Sequence, residues 1–332
     1  MILLIKKTDN DGRLDLIPQF LETSWKIEIV DAAAPKALAT ALRTADAMLS
    51  MNWQSSMPAA PRLKLLQLPG AGTDDIDFST VPPHTTVCNV YEHEIGIAEY
   101  VLAGMLQWTI GLPKLDAALR RGDWWGSALC GPWHGELHGQ TLGIVGYGRI
   151  GRETARRALA FGMHVIACSR TPRGADGLVE RVEPMSALEA LLGQADFVLM
   201  ALPLEPATQG LIGPAQLARM KPTSVLINVA RGALIDEAAL FAACRERRIG
   251  GAILDTWYRY PAPEDPHGEP SAFPFRALDN VIMTPHASGW TEGLRPRRNR
   301  VIAENLDRLA RGEPLRNVVR HGAHGMQIAA EP

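Results

Sequence analysis

Cysteine is scarce. Four residues in 332 (Cys88, Cys130, Cys168 and Cys244) stand apart, with no CxxC pair and no ligand-like cluster. That spacing excludes a zinc-ribbon pattern and a disulfide framework, and leads us to expect a reduced, cytoplasmic protein without a metal site. Net charge is equally lacking. Thirty-four basic side chains against 36 acidic ones leave −2 at neutral pH, which gives no reason to expect a nucleic-acid partner. No apolar run approaches the ~20 residues that a membrane span needs. The opening MILLI reads as a buried strand and not as a signal peptide. Short-period repeats and low-complexity tracts are absent as well.

What is present is a long chain, 46% hydrophobic, too long for one typical core and so expected to form two domains. MILLI, KIEIV, ADAMLS and LKLLQL read as short apolar strands, separated by segments of helical composition. Such near-continuous apolar strands indicate a parallel sheet covered on both faces. A long helix is expected from about His93. A second series follows: TLGIVG, MHVIAC, ADFVLMAL, TSVLINVA, GAILD and NVIMT as strands, with helices around Leu188, Leu217 and Leu240. The late polar helix RPRRNRVIAENLDRLARG is too charged for a sheet centre. It is expected to return to the first domain, making that domain discontinuous.

GYGRIG, Gly146 to Gly151, follows a strand and opens a helix, the context that turns a weak glycine pattern into a dinucleotide-binding signature. Gly146 permits the tight turn, Gly148 lets backbone approach a pyrophosphate, and Gly151 lets the helix pack against the strand. Arg149 and Ile150 lie in the same turn. An NAD site usually ends the second strand with a carboxylate for the ribose 2′-hydroxyl. Here that strand ends Ala167-Cys168-Ser169-Arg170, and Ser169 with Arg170 suits a 2′-phosphate through charge-assisted hydrogen bonds. NADP(H) is therefore the favoured cofactor, with NAD(H) left open.

LPGAGTDDID (68–77), GIAEYVLAGML (96–106), GELHGQTLGIVGYGRIG (135–151), AFGMHVIACSRTP (160–172), ADFVLMALPL (195–204), KPTSVLINVARGALIDEAAL (221–240), GAILDTW (251–257), NVIMTPHASG (280–289) and GEPLRNVV (312–319) together resemble the D-isomer-specific 2-hydroxyacid dehydrogenases. The motifs run over most of the chain in the family's order. The resemblance implies an α/β fold of two doubly wound parallel-sheet domains, with a Rossmann NAD(P)-binding domain (111–287) inserted into a flavodoxin-like substrate domain (1–110 and 288–332). It also implies a homodimer formed through the Rossmann domain. By the same resemblance, Arg231 anchors the carboxylate of a small anionic substrate and polarises its carbonyl, which the planar guanidinium fork suits. His286 is the acid/base, and Asp255 lies near the nicotinamide carboxamide. Leu202, Pro203 and Val229 line the cofactor. Gly70, Ala71 and Gly72 form a loop whose amides meet the substrate.

Two departures stand out. Most members carry a glutamate five residues after the position of Asp255, paired with the histidine; here that residue is Tyr260. A phenol can still orient the ring, but it brings no negative charge to raise the imidazole pKa. Glu264 and Asp265 are the alternative partners, against a reading as solvated loop charges. The second departure is YEHE (91–94), which puts His93 and Glu94 at a helix start, either as substrate determinants or, for Glu94, as helix N-terminal charge. Arg295, Arg297, Arg298 and Arg300 are either a solvated helix face or include a ligand for a further anionic group. The activity expected is hydride transfer between the nicotinamide and a 2-keto/D-2-hydroxy acid. The alternatives are a formate-dehydrogenase-like oxidation of a small anion and a non-catalytic dinucleotide sensor.

Overall fold

The computed structural model describes residues 1–6, 14–31, 33–128, 131–262 and 265–323. Two compact units emerge: 1–92 with 291–332, and 93–290. The expected boundaries at 110/111 and 287/288 differ from these. The helix Glu94–Ile110 packs on the helix after the glycine turn, and so groups with the second unit.

In the first unit, β1 (Ile2–Lys6), β2 (Lys26–Val30), β3 (Ala47–Leu49), β4 (Leu65–Gln67) and β5 (Thr86–Cys88) are parallel in the order β5-β4-β3-β1-β2. That is the flavodoxin-like order. The strand Val318–Arg320 joins the β5 edge antiparallel. α1 (Ile17–Phe20) and α2 (Pro35–Leu42) flank the sheet. The polar helix Leu294–Arg311 returns to this unit as expected. It lays Val301, Ile302, Leu306 and Leu309 into the same core as Leu3, Ile5, Leu49 and Leu65. Each such fully buried aliphatic side chain contributes about 1.5–3 kcal/mol.

The second unit holds a seven-stranded, wholly parallel sheet: β6 (Thr141–Val145), β7 (His164–Ser169), β8 (Val182–Pro184), β9 (Phe197–Met200), β10 (Val225–Asn228), β11 (Gly251–Leu254) and β12 (Val281–Met283). The order is β12-β11-β10-β9-β6-β7-β8, the Rossmann arrangement with β6 at the switch point. α3 (Glu94–Ile110), α4 (Leu112–Arg120), α5 (Arg149–Ala160), α6 (Leu188–Gln194), α7 (Pro214–Leu217) and α8 (Glu237–Arg245) complete it. β9, β10 and β11 are buried at every position, which is why each reads as an unbroken apolar run. Val145 pairs with Cys168 and Met200, Asn228 with Met200 and Leu254, and Leu254 with Met283. This register brings the residues after six strands to one sheet edge, where ligands bind in open α/β sheets. No single helix among the described residues is long and apolar enough to cross a membrane.

Candidate active site

The glycine turn comes first along that edge. Gly146 has φ +98°, and a Cβ there would stand 2.6 Å from the Ala201 backbone. A side chain at Gly151 would stand 2.7 Å from the Gly146 carbonyl oxygen. Both glycines are therefore demanded by the fold itself. Gly148 differs: a Cβ there meets nothing within 4 Å. It caps α5, whose first N–H groups have no intrahelical partner and form an anion site. A position empty of protein at the head of a twelve-residue helix fits a dinucleotide pyrophosphate.

Around this turn, Leu202 and Val229 are buried and Pro203 is exposed. Arg149, the first residue of α5, comes within 3.9 Å of the Glu94 carboxylate. Glu94 also lies 3.9 Å from His93 and is itself buried at the first turn of α3. His93 approaches the loop after β12: a Cβ on Gly289 would be 3.3 Å from its own Cβ. Ser169 turns its hydroxyl to the Thr171 carbonyl. Arg170 donates to both oxygens of Glu205, at 2.8 and 3.1 Å. The strand end lacks a carboxylate in sequence, but the loop after β9 delivers one beside Arg170.

Asp255, directly after β11, is completely buried. Its Oδ1 accepts from the Thr284 hydroxyl at 2.6 Å and the Ala287 N–H at 2.8 Å, and its Oδ2 accepts from the Ser288 N–H at 2.9 Å. Since Thr284 donates to Asp255, Tyr100 must be the donor in its 2.6 Å bond to Thr284 Oγ1. Burial pushes the Tyr100 phenol up to about 12. The carboxylate thus holds the loop that carries His286. It holds it in an uncommon shape, because His286 has φ +57°, a left-handed conformation that costs about 1–3 kcal/mol for a non-glycine residue.

Tyr260 reaches the same histidine. Its hydroxyl lies 2.9 Å from His286 Nδ1 and accepts the Trp257 N–H at 3.2 Å. Trp257 in turn donates its indole N–H to the Thr284 carbonyl at 2.8 Å. Desolvation by the surrounding protein lowers the His286 pKa from its ordinary 6.5. The Asp255 charge opposes that shift, and the Arg231 charge reinforces it. His286 as a whole residue is exposed. Burial raises the Tyr260 phenol above 10, offset in part by the Trp257 N–H and by Arg231.

Arg231 follows β10 in a turn clamped by Asn228. The Asn228 side chain donates to the Arg231 carbonyl at 2.8 Å and accepts from the Ala230 N–H at 3.1 Å. Gly232 permits the next step, since a Cβ there would stand 2.5 Å from the Trp257 carbonyl. Arg231, Asp255, Tyr260 and His286 therefore share one edge of one unit, and the Arg231 charge is felt by both His286 and Tyr260.

Among the reserve acids, Asp265 accepts from the His267 N–H at 3.1 Å, and Glu264 lies outside the described residues. Gly70, Ala71 and Gly72 belong to the first unit, where the Gly70 and Ala71 carbonyls accept from the Val90 N–H and the Asn89 side chain. The arginine cluster has partners in that unit too. Arg295 pairs with Asp15, Arg297 approaches Glu92, Arg298 donates to the Tyr91 carbonyl, and Arg300 lies over Phe20. Sequence reasoning did not single out Asn228, Gly232, Trp257, Thr284 or Tyr100. Only Gly232 carried a signal, as a glycine directly after the candidate arginine.

Residues 102–288 match the family profile described as D-isomer specific 2-hydroxyacid dehydrogenase, NAD binding domain. A D-3-phosphoglycerate dehydrogenase of Methanocaldococcus jannaschii is 32% identical over 314 residues, 91% of this chain and 56% of that protein; the chain spans little more than half of that relative. A glyoxylate reductase of Thermococcus onnurineus is 32% identical over 326 residues, 94% of this chain and 93% of that one. Among solved structures, an NADPH-dependent glyoxylate/hydroxypyruvate reductase from Sinorhizobium meliloti, in complex with citrate, superposes with a TM-score of 0.77 at 25% identity, over 96% of this chain and 97% of that one.

Proposed function

Because the chain belongs to the D-isomer-specific 2-hydroxyacid dehydrogenase family, a family of nicotinamide-dependent oxidoreductases, we propose that it reduces a small 2-keto acid to the D-2-hydroxy acid, with glyoxylate and hydroxypyruvate as the first candidates. The observation that carries this reading is the grouping of Arg231, His286 and the Gly146–Gly151 turn along one sheet edge. The second unit is proposed as the cofactor domain and the first as the substrate domain.

The α5 N-terminus and the Gly148 backbone would hold the pyrophosphate, with Arg149 beside it. Ser169 and Arg170 would meet the 2′-phosphate, on which the preference for NADP(H) over NAD(H) rests. Leu202, Pro203 and Val229 would wall the nicotinamide end. When bound, the nicotinamide supplies the hydride for the carbonyl carbon. Arg231 binds the substrate carboxylate through its guanidinium fork. His286 gives the proton on Nε2 to the carbonyl oxygen.

Tyr260 is the positioning partner. In the imidazolium, Nδ1–H donates to the phenol oxygen; in a neutral ring protonated on Nε2, the phenol donates to Nδ1. Either way the ring keeps its orientation, but without a carboxylate the imidazolium gains no ion pair. Reduction is therefore strongest on the acidic side and declines as pH rises through a histidine pKa below the ordinary one. Asp255 acts through the loop it holds. Its placement beside a nicotinamide carboxamide would need the buried carboxylate to be uncovered.

The same substitution favours a second reading, the oxidation of a small anion that transfers no proton to a carbonyl. Turnover of glyoxylate, hydroxypyruvate and pyruvate with NADPH and with NADH separates the two. If no ketoacid is reduced, the first reading is abandoned. Trp124, Trp125 and Trp133 are all exposed in the segment between α4 and β6. This supports a proposed homodimer through the second unit, to be tested by light scattering of the purified chain.

A further inference from the structure

We propose that Glu205 sets the cofactor preference of this chain by competing with the 2′-phosphate of NADP(H) for Arg170. The proposal rests on reading the end of β7 as the site that meets the adenosine ribose. β6, the strand that leads into the glycine turn, lies between β7 and β9. Arg170 follows β7 and Glu205 follows β9, so their bond joins the loops on both flanks of that turn. Both carboxylate oxygens lie on one guanidinium nitrogen, at 2.8 and 3.1 Å.

The two partners are held unequally. The Glu205 N–H donates to Thr208 Oγ1 at 2.8 Å, and its carbonyl accepts from the N–H groups of Thr208 and Gln209 at 2.9 and 3.0 Å. The Thr208 hydroxyl bonds the Pro203 carbonyl at 2.9 Å. Glu205 is thus carried on a braced turn. The Arg170 side chain is 80% exposed, at the tip of a long and flexible stem.

A phosphate arriving at Arg170 meets a guanidinium whose charge is already balanced. It must draw the arginine away from Glu205 or lie against a fixed carboxylate. A ribose 2′-hydroxyl meets neither obstacle. An exposed ion pair is worth at most about 1 kcal/mol, a factor of about five, and the second charge of the phosphate raises this towards ten. Arg170 and Glu205 therefore act as one element: the arginine recognises the phosphate, and the carboxylate sets how much of that recognition is available.

The test measures Kd for NADPH and NADH by titration of the purified chain, in the parent and in Glu205→Gln, Glu205→Thr and Arg170→Ala. Both Glu205 variants should favour NADPH over NADH about five- to tenfold more than the parent does, with the change confined mainly to NADPH. Arg170→Ala should shift the ratio the other way. If NADPH binding is unchanged in the Glu205 variants while Arg170→Ala weakens it selectively, the competition is refuted and the ribose site stands. Equal weakening of both nucleotides in the Glu205 variants gives the residue a purely structural role and also overturns the proposal. An unaltered ratio in Arg170→Ala removes the ribose-site reading, and the inference with it.

Discussion

Replacing Tyr260 by phenylalanine deletes one oxygen, and that oxygen is bonded on two sides: to His286 Nδ1 at 2.9 Å and to the Trp257 N–H at 3.2 Å. A neutral hydrogen bond of this kind contributes about 0.5–1.5 kcal/mol net. Loss of the bond that orients the imidazole should lower kcat/KM for ketoacid reduction about three- to tenfold. Tyr260→Glu asks a sharper question, because it adds the missing negative charge. A unit charge about 4 Å from the ring interacts by about 1 kcal/mol in water and about 4 kcal/mol at a protein-like dielectric. Tyr260 is 54% exposed, so solvent screening keeps the value near the lower end. At about 1.4 kcal/mol per pKa unit, His286 should rise by roughly one unit. The sign follows from the proton donor. Reduction needs the imidazolium, which is present below the histidine pKa and lost as pH rises through it. In the parent, burial and Arg231 set that loss below the ordinary histidine value. In Tyr260→Glu the falling limb of kcat/KM against pH should move about one unit upward. In Tyr260→Phe it should keep its position at a lower plateau. A limb that stays put in the glutamate variant, or a phenylalanine variant with parental rates, would refute the coupling of this phenol to the acid/base.

Other outcomes follow from the same geometry. Gly148→Ala has open space for its methyl group, so its melting temperature should match the parent while cofactor Kd rises about tenfold or more by titration; Gly146→Ala, with φ +98° and backbone at 2.6 Å, should instead lose folded protein. Asp255→Asn keeps one accepting oxygen and turns its NH2 either towards the Ser288 N–H or towards the Thr284 and Ala287 donors, and should cost about 1–3 kcal/mol in urea unfolding. Arg231→Lys keeps the charge but loses the planar fork, and should raise KM for the ketoacid about tenfold or more with unfolding unchanged.

The central parallel strands were legible because burial on both faces favours an unbroken apolar run. Thr86–Cys88, Val182–Pro184 and Val318–Arg320 escaped notice: the equally short Ala47–Leu49, Leu65–Gln67 and Val281–Met283 sit in mostly apolar stretches, whereas polar residues or proline fill most positions in and beside these three. The helix Glu94–Ile110 was expected from its apolar composition, but that composition does not say which sheet it covers. Its assignment to the first domain therefore missed the packing on α5. In the candidate site, the glycine turn, Arg231 and His286 stood out because motif and strand end coincide. Tyr260 was visible as a substitution, while its bond to His286 needed the fold. What holds them was not visible. Tyr100 meets Thr284 across 184 positions, and the Trp257 donor to Tyr260 is a backbone N–H that every sequence carries. The absence of a carboxylate after β7 was read correctly along the chain. In space it was incomplete, because Glu205 arrives from 35 residues away.

The left-handed backbone at His286 also limits what can be built there. Glycine adopts φ near +57° without strain, and asparagine and aspartate do so more readily than other side chains. A redesign that exchanged the imidazole for lysine, glutamate or tyrosine would have to keep a disfavoured dihedral as well as supply a new acid, with Asp255 and its bonds to Thr284, Ala287 and Ser288 to enforce it. The vocabulary open to this position is therefore short, and asparagine is the natural inert replacement for a trapping variant, since it preserves the loop while removing the proton.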